Sequence, residues 1–344
     1  MRQVLVGSAV ALALAAFPVT STVASASQAA PTPKVHTVTV GSNPTDVVLS
    51  QRQSRAYVLN DGSVSVLSLK THRQLAEPGT GFHDQTAIGL VRKGRAAYIG
   101  TFDLNVVKVL NTSTLKVTRT VRVGPGATDI VAAGTGTGQF AYVTQLASGG
   151  SSGHVVVVRT SNTRVVKKIK LAAGAQSAAA TRSGHSVWVG SAVSGRIWVV
   201  NTHQQKVVRR VTVNRSGPVM SIAFAPGGKR AWVSGLGGVS VVNVASGKLL
   251  AFVPITRIFP HAADLNAGPL ALNSSGTAAL VLNSTFPDNP ARGTVAVINT
   301  RTLRVTSRIR VGTEPTGLAI DGKRNTAYVT NFQDDTVSYF AIPK

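Results

Sequence analysis

The stretch Val311-Gly312-Thr313-Glu314-Pro315-Thr316-Gly317, followed by Ala327-Tyr328-Val329-Thr330-Asn331 and Asp335-Thr336-Val337-Ser338, decides the fold, because its central element recurs along the chain. An aromatic residue or Leu, then Val or Ile, then a small or amide residue stands at Tyr57-Val58-Leu59-Asn60, Tyr98-Ile99-Gly100, Tyr142-Val143-Thr144-Gln145, Trp188-Val189-Gly190, Trp232-Val233-Ser234, Leu280-Val281-Leu282-Asn283 and Tyr328-Val329-Thr330-Asn331. Neighbouring copies start 41 to 48 residues apart. Seven copies at that period mark one supersecondary unit repeated in a ring or array.

Each copy reads the same way. A short strand of small residues follows a Gly/Pro turn, as at Thr45 to Ser50, Thr128 to Ala133 and Thr316 to Ile320. A basic or Gly turn leads to the Tyr/Trp strand. A second turn, such as Asp61-Gly62 or Asp334-Asp335, leads to a third strand such as Val64-Ser65-Val66-Leu67. Asn-Thr turns at Asn111, Asn201 and Asn299 then open a fourth strand. Four short strands with regular turn punctuation and no helical periodicity predict an antiparallel propeller blade. The last copy has only three strands, and Val35-His36-Thr37-Val38-Thr39-Val40-Gly41 matches the missing fourth, Val305 to Gly312. The expectation is an all-β, seven-bladed propeller of four-stranded antiparallel blades over residues 35–344, its last blade closed by the N-terminal strand so that no ring edge stays open. The Tyr and Trp residues are expected to pack between blades.

These motifs carry a resemblance. Val311 to Gly317 with Tyr328-Val329-Thr330-Asn331, and the matching Val40-Gly41-Ser42-Asn43-Pro44-Thr45, resemble the YVTN β-propeller repeat family, with blades 4 to 6 drifted from its consensus. That family includes surface-layer proteins and exported bacterial propellers of the YncE type, one line of which binds DNA. The resemblance implies fold and says little about activity, because its motif is made of core and turn residues.

Residues 1–26 read as a signal peptide. Arg2 precedes an apolar run from Val4 to Phe17, and Ala24-Ser25-Ala26 supplies a small-x-small cleavage pattern. The run is shorter than the ~20 residues a spanning helix needs, and no later segment approaches that length. Residues 27–34 read as a flexible lead-in. The expected location is secreted, periplasmic or at the cell surface, and the expected state is a monomer.

The 344 residues hold 36 Lys+Arg against 12 Asp+Glu, a formal net charge of +24, at 43% hydrophobic and 14% charged composition. Such a chain has ample core and is not globally disordered. Without cysteine there are no disulfides, thiolate metal sites or cysteine nucleophiles. In an antiparallel blade the fourth-to-first and second-to-third connections share one face, the channel mouth, and the other turns share the opposite face. Eleven of the twelve acids, among them Asp46, Asp84, Asp129, Asp264 and Glu314, map to the mouth, and only Asp321 maps to the other face. The cations sort oppositely. Arg52, Arg55, Lys93, Arg95, Arg182, Lys229, Arg230, Lys323 and Arg324 fall in or beside first-to-second turns. Outer-strand Lys and Arg are accounted for as protection against edge-to-edge pairing. The exclusion of acids from one face is not, and it points to polyanions as partners, either nucleic acid or an anionic cell-envelope polymer.

Enzymatic chemistry has its best candidates at the mouth. Phe82-His83-Asp84-Gln85 and Pro260-His261-Ala262-Ala263-Asp264 replace the usual turn in blades 2 and 6. Together with Asp46, Asp129 and Glu314 they offer imidazoles and carboxylates for a divalent metal or for acid–base work, as in a lactonase-like propeller hydrolase. Blades 2 and 6 are not neighbours in a seven-fold ring, so the expectation is no catalytic set, no resident metal and no cofactor. Gly134-Thr135-Gly136-Thr137-Gly138 lacks the phosphate-loop Lys, Ser148-Gly149-Gly150-Ser151-Ser152-Gly153 reads as a lengthened hairpin loop and not as a Gly-x-Ser-x-Gly nucleophile elbow, and no His-Glu-x-x-His occurs. The favoured reading is a non-enzymatic exported binding propeller.

Overall fold

The computed structural model describes residues 32–134, 139–146, 152–213, 217–255, 267–283 and 293–343. These residues form seven four-stranded antiparallel sheets arranged in a ring. Blade 1 runs Asp46–Ser50, Arg55–Leu59, Val64–Ser68 and Gln74–Ala76 from the channel outward. Blades 2 to 6 repeat that order. Blade 7 takes Pro315–Asp321, Thr326–Asn331 and Thr336–Ala341 from the C-terminus and His36–Thr39 as its outer strand. The closing strand pairs antiparallel, His36 opposite Tyr339 and Thr39 opposite Thr336.

The repeated aromatic-Val pair explains the ring. Successive residues of a strand point to opposite faces of its sheet. Tyr98 packs with blade 3, whereas Ala97 and Ile99 pack with blade 1. Likewise Tyr57, Tyr142, Trp188, Trp232 and Tyr328 face the following blade, and Val58, Val143, Val189, Val233 and Val329 face the preceding one. Seven hydrophobic clusters result among the described residues, one at each seam between blades. The second strand is therefore apolar on both faces, and its aromatic residues are fully buried.

Polar residues of the repeat fix the loops. Asn331 accepts the Gly312 N–H at 3.0 Å and donates to the hydroxyls of Thr336 and Ser338, both at 2.9 Å. A Cβ on Gly312 would lie 2.4 Å from Asn331 Cγ, which is why glycine follows Val311. On the far side, Asn111, Asn201 and Asn299 each accept two backbone N–H groups of their own turn, so the side chain stands in for a backbone acceptor.

Hydroxyls stitch the blades at the channel. The inner strand of blades 2, 3 and 7 bulges at Thr86, Thr128 and Thr316. Thr316 donates to the Pro44 carbonyl at 2.8 Å, Thr45 to Gln85 at 3.2 Å, Thr86 to Ala127 at 2.6 Å and Thr128 to Ala175 at 2.8 Å. Ser177 to Val219 at 2.8 Å and Ser234 to Gly268 at 2.6 Å continue the series.

At the closing seam the rings stack. His72 of blade 1 lies 4.1 Å from Tyr339, His36 lies on the same Tyr339 at 5.3 Å, and the Tyr328 hydroxyl is 2.9 Å from His72 Nδ1. Burial, and then the nearby Arg324 and His36, hold the His72 pKa below its ordinary value, with Asp321 opposing. Neutral His72 therefore contributes stability above its ordinary pKa of about 6.5, and that contribution is lost as pH falls through the lower folded value. Two outcomes are expected. Deleting residues 27–41 leaves the Thr336–Ala341 edge open and lowers stability by several kcal/mol, read as a drop in melting temperature; an unchanged melt refutes the closure. Wild type also loses more melting temperature between pH 7 and pH 5 than His72→Gln does; parallel profiles refute the role of His72.

Candidate functional site

Topology places the charges on two opposed faces. Of the ten acids among the described residues, nine lie at the mouth end of their strands or in the connections there, and Asp321 ends an inner strand at the opposite face. Among the described residues Arg324 is the sole Lys or Arg in a salt bridge, its Nη1 2.7 Å from Asp321 Oδ2. Asp321 is fully buried, which works against its charge, but the Arg324 guanidinium and the Lys323 and Arg324 N–H groups outweigh that and hold its pKa low.

The basic face is built on hairpin turns. Arg52, Lys93, Arg95, Arg182, Lys229, Arg230 and Lys323 are exposed, and Arg55 and Arg324 are half-buried. Three of these nine also hold the fold: Arg55 reaches the Thr112 carbonyl at 3.4 Å, Arg182 the Pro226 carbonyl at 3.1 Å, and Arg324 its Asp321. Arg92 and Lys93 both sit in the left-handed region, with φ of 52° and 58°, and throw two adjacent cations outward. Outer-strand arginines do more than block an edge. Arg209 donates to the Val244 carbonyl at 2.7 Å and Arg308 to Ile255 at 2.6 Å, each tying its blade to blade 5.

At the mouth the sequence candidates do not form one centre. His83 Nδ1 is 3.1 Å from Asp61 Oδ1, at an exposed rim position, and the Asp84 N–H donates to the same oxygen at 3.2 Å. Glu314 accepts from Gln333 Nε2 at 3.1 Å, within its own blade. His261 and Asp264 lie outside the described residues. No group of three His, Asp or Glu among the described residues is placed to hold a metal ion. Lys108, which sequence reading did not single out, crosses to the mouth, where it donates to the Thr80 carbonyl at 2.6 Å and lies 3.7 Å above the Phe82 ring.

Asp46 and Asp129 take a role that sequence reading missed. They occupy the same position of blades 1 and 3, one residue after the stitching Thr. Asp129 accepts its neighbour's N–H, Ile130, at 2.7 Å and the Ala178 N–H of blade 4 at 2.8 Å. Asp46 accepts Val47 at 2.7 Å and also the Ile88 N–H of blade 2. Ser221 does the same in blade 5, accepting the Leu270 N–H of blade 6 at 3.2 Å. The recurrence of Thr-Asp at this position was the signal available in the sequence. Burial, and then Asp129, push the Asp46 pKa up to about 7; burial pushes Asp129 up to about 6.

A raised folded pKa means that the stability from these groups is fully present below the ordinary carboxylate pKa of about 4 and is lost as pH rises through 6 to 7. His72 and His154, held low by burial, act with the opposite sign across part of that window, so the difference between proteins is the readout. Asp46→Ser/Asp129→Ser, which copies Ser221, is expected to gain melting temperature relative to wild type on going from pH 5 to pH 8. A constant difference across that range refutes the assignment.

No family model matches this sequence, and no curated protein matches it. Among solved structures the ring is similar to Kuenenia stuttgartiensis hydrazine synthase, with a TM-score of 0.74, 16% identity, and coverage of 88% of this chain and 96% of that one. It is also similar to the Cps50 (Swd1) β-propeller domain of Myceliophteria thermophila, with a TM-score of 0.70, 12% identity, and coverage of 90% and 100%. At these identities the likeness is one of fold: the chain is a seven-bladed β-propeller closed by its N-terminal strand.

Proposed function

We propose that the chain is an exported, non-enzymatic binding propeller that holds a phosphate-bearing polymer, such as nucleic acid or an anionic envelope polymer, against its basic face. The observation that carries this reading is the charge segregation: exposed turn cations lie at one end of the channel, and among the described residues the one acid at that end is buried under Arg324. Unpaired, exposed cations on a surface without competing carboxylates attract polyanions and release their counterions on binding. The leader-like residues 1–26 support export, and the resemblance of the repeat to YVTN propellers, one exported line of which binds DNA, supports the same partner chemistry.

The turns vary in sequence and, among the described residues, carry no α-helix to enter a groove, so contacts go to phosphates and sequence preference is slight. Log affinity for DNA is expected to fall linearly with log salt, and roughly 4–6 phosphate contacts give a slope of about −3 to −5. Reversing Arg52, Lys229, Arg230 and Lys323 to Glu flattens that slope. Arg324 is left alone because its loss exposes Asp321 to an unpaired state. Reversing the outer-strand Lys167 and Lys168 has the smaller effect. Binding that is gone at physiological salt, or a slope untouched by the four reversals, reduces the basic face to a solubility device.

A further inference from the structure

The channel wall is hollowed where blades 3, 4 and 5 meet it, towards the basic end. The cavity there measures about 520 Å³, within the range of roughly 300–1,000 Å³ that holds small organic ligands. Val131 of blade 3, Ala178 of blade 4 and Ile222, Phe224 and Pro226 of blade 5 give it an apolar lining. Among the described residues no Asp or Glu lines it, and its one charged side chain is Arg182, from the first-to-second turn of blade 4.

The seven inner strands show why the wall is open at this point. The residue opposite the second-strand Val or Ile is Val47, Ile88, Ile130, Ile222, Leu270 or Leu318 in the other six blades, and Ala178 in blade 4. Six blades close this position with a branched side chain, so the fold itself does not ask for alanine. Leaving it open keeps apolar wall in contact with water, which is unfavourable until something apolar covers it.

Arg182 sets what that something is. Its Nη1 donates to the Pro226 carbonyl of blade 5 at 3.1 Å, which holds the side chain at the cavity. Nε and Nη2, whose N–H groups form the other fork of the guanidinium, have no partner among the described residues. That fork matches the two oxygens of one carboxylate. We propose that the cavity binds a medium-chain alkyl carboxylate, its headgroup on Arg182 and its chain along the wall past Ala178. An inorganic anion leaves the wall wet and a neutral alkyl group leaves the fork unpaired; an amphiphilic anion satisfies both. The apolar wall is a different surface from the exposed turn cations, so this proposal and the polyanion reading fail independently: apolar contact persists at high salt and phosphate contact does not.

The test uses the full chain in about 0.5 M salt, where phosphate contacts are screened, with calorimetry and methyl chemical-shift mapping. The probes are octanoate, butanoate, octanol and octylammonium. A buried methylene is worth about three- to four-fold in affinity, so octanoate is expected to bind at least ten-fold more tightly than butanoate. It is also expected to bind at least ten-fold more tightly than octanol or octylammonium, and to shift the Ala178 and Ile222 methyls. Arg182→Gln, exposed in its turn, folds normally and weakens octanoate at least ten-fold while leaving octanol unchanged. Ala178→Ile, which copies blades 2, 3 and 5, fills the hollow and weakens both ligands without lowering the melting temperature. Equal binding of butanoate or octanol, affinity untouched in Arg182→Gln, or wild-type binding by a folded Ala178→Ile overturns the proposal. So do methyl shifts confined to other blades, and so does the absence of any octanoate binding.

Discussion

Every blade buries both faces of its middle strands against its two neighbours, so no blade has a core of its own. The fold depends on that constraint. A fully buried aromatic or branched aliphatic side chain contributes about 1.5–3 kcal/mol relative to exposure, and each seam cluster holds eight or more buried apolar residues. A hydroxyl stitch such as Thr316 to Pro44 is worth about 0.5–1.5 kcal/mol net. Packing therefore sets the stability of the ring, and the stitches set how each inner strand is aimed. A ring of mutually supporting blades also explains why the N-terminal strand is borrowed. Without it the outer edge of blade 7 is bare, and the Val40 and Tyr328 side of the closing seam loses its anchor.

The architecture was legible in the sequence because the same constraint writes it there. Two-faced burial makes the second strand apolar at consecutive positions, and a large residue facing forward next to a β-branched one facing backward gives the Tyr-Val and Trp-Val pairs. The channel chemistry was less legible. Asp46 and Asp129 look like loop acids in the sequence, and only the meeting of neighbouring inner strands sets each one onto the backbone of the next blade, Asp129 just after the bulge at Thr128. The same holds for the channel cavity: Val131, Arg182 and Phe224 come from three blades, and no local pattern brings them together. His83 was legible as a polar mouth residue, but its pairing with Asp61 depends on how two different turns meet.

Confining the core to the seams has a consequence for charge. The sheet faces are committed to packing, so polar variation is left to the outer strands and to the loops at the two ends. Outer-strand cations are partly used as ties, as Arg209 and Arg308 are. At the two ends some charges are likewise used by the fold, as Arg55, Arg182 and Arg324 are on one face and Asp46 and Asp129 on the other, whereas Arg52, Lys229, Arg230 and Lys323 stand exposed.

The two ends also act separately. The strands that span the ring are about six residues long, as at Ala96–Thr101 and Thr326–Asn331. At about 3.3 Å per residue they hold the two loop layers roughly 20 Å apart. The Debye length at physiological salt is about 8 Å, so the potential of one layer is largely screened at the other. A chain with a formal charge of +24 thus keeps the potentials of its basic and acidic ends largely independent at that salt, and lowering the salt lengthens the reach of each towards the other.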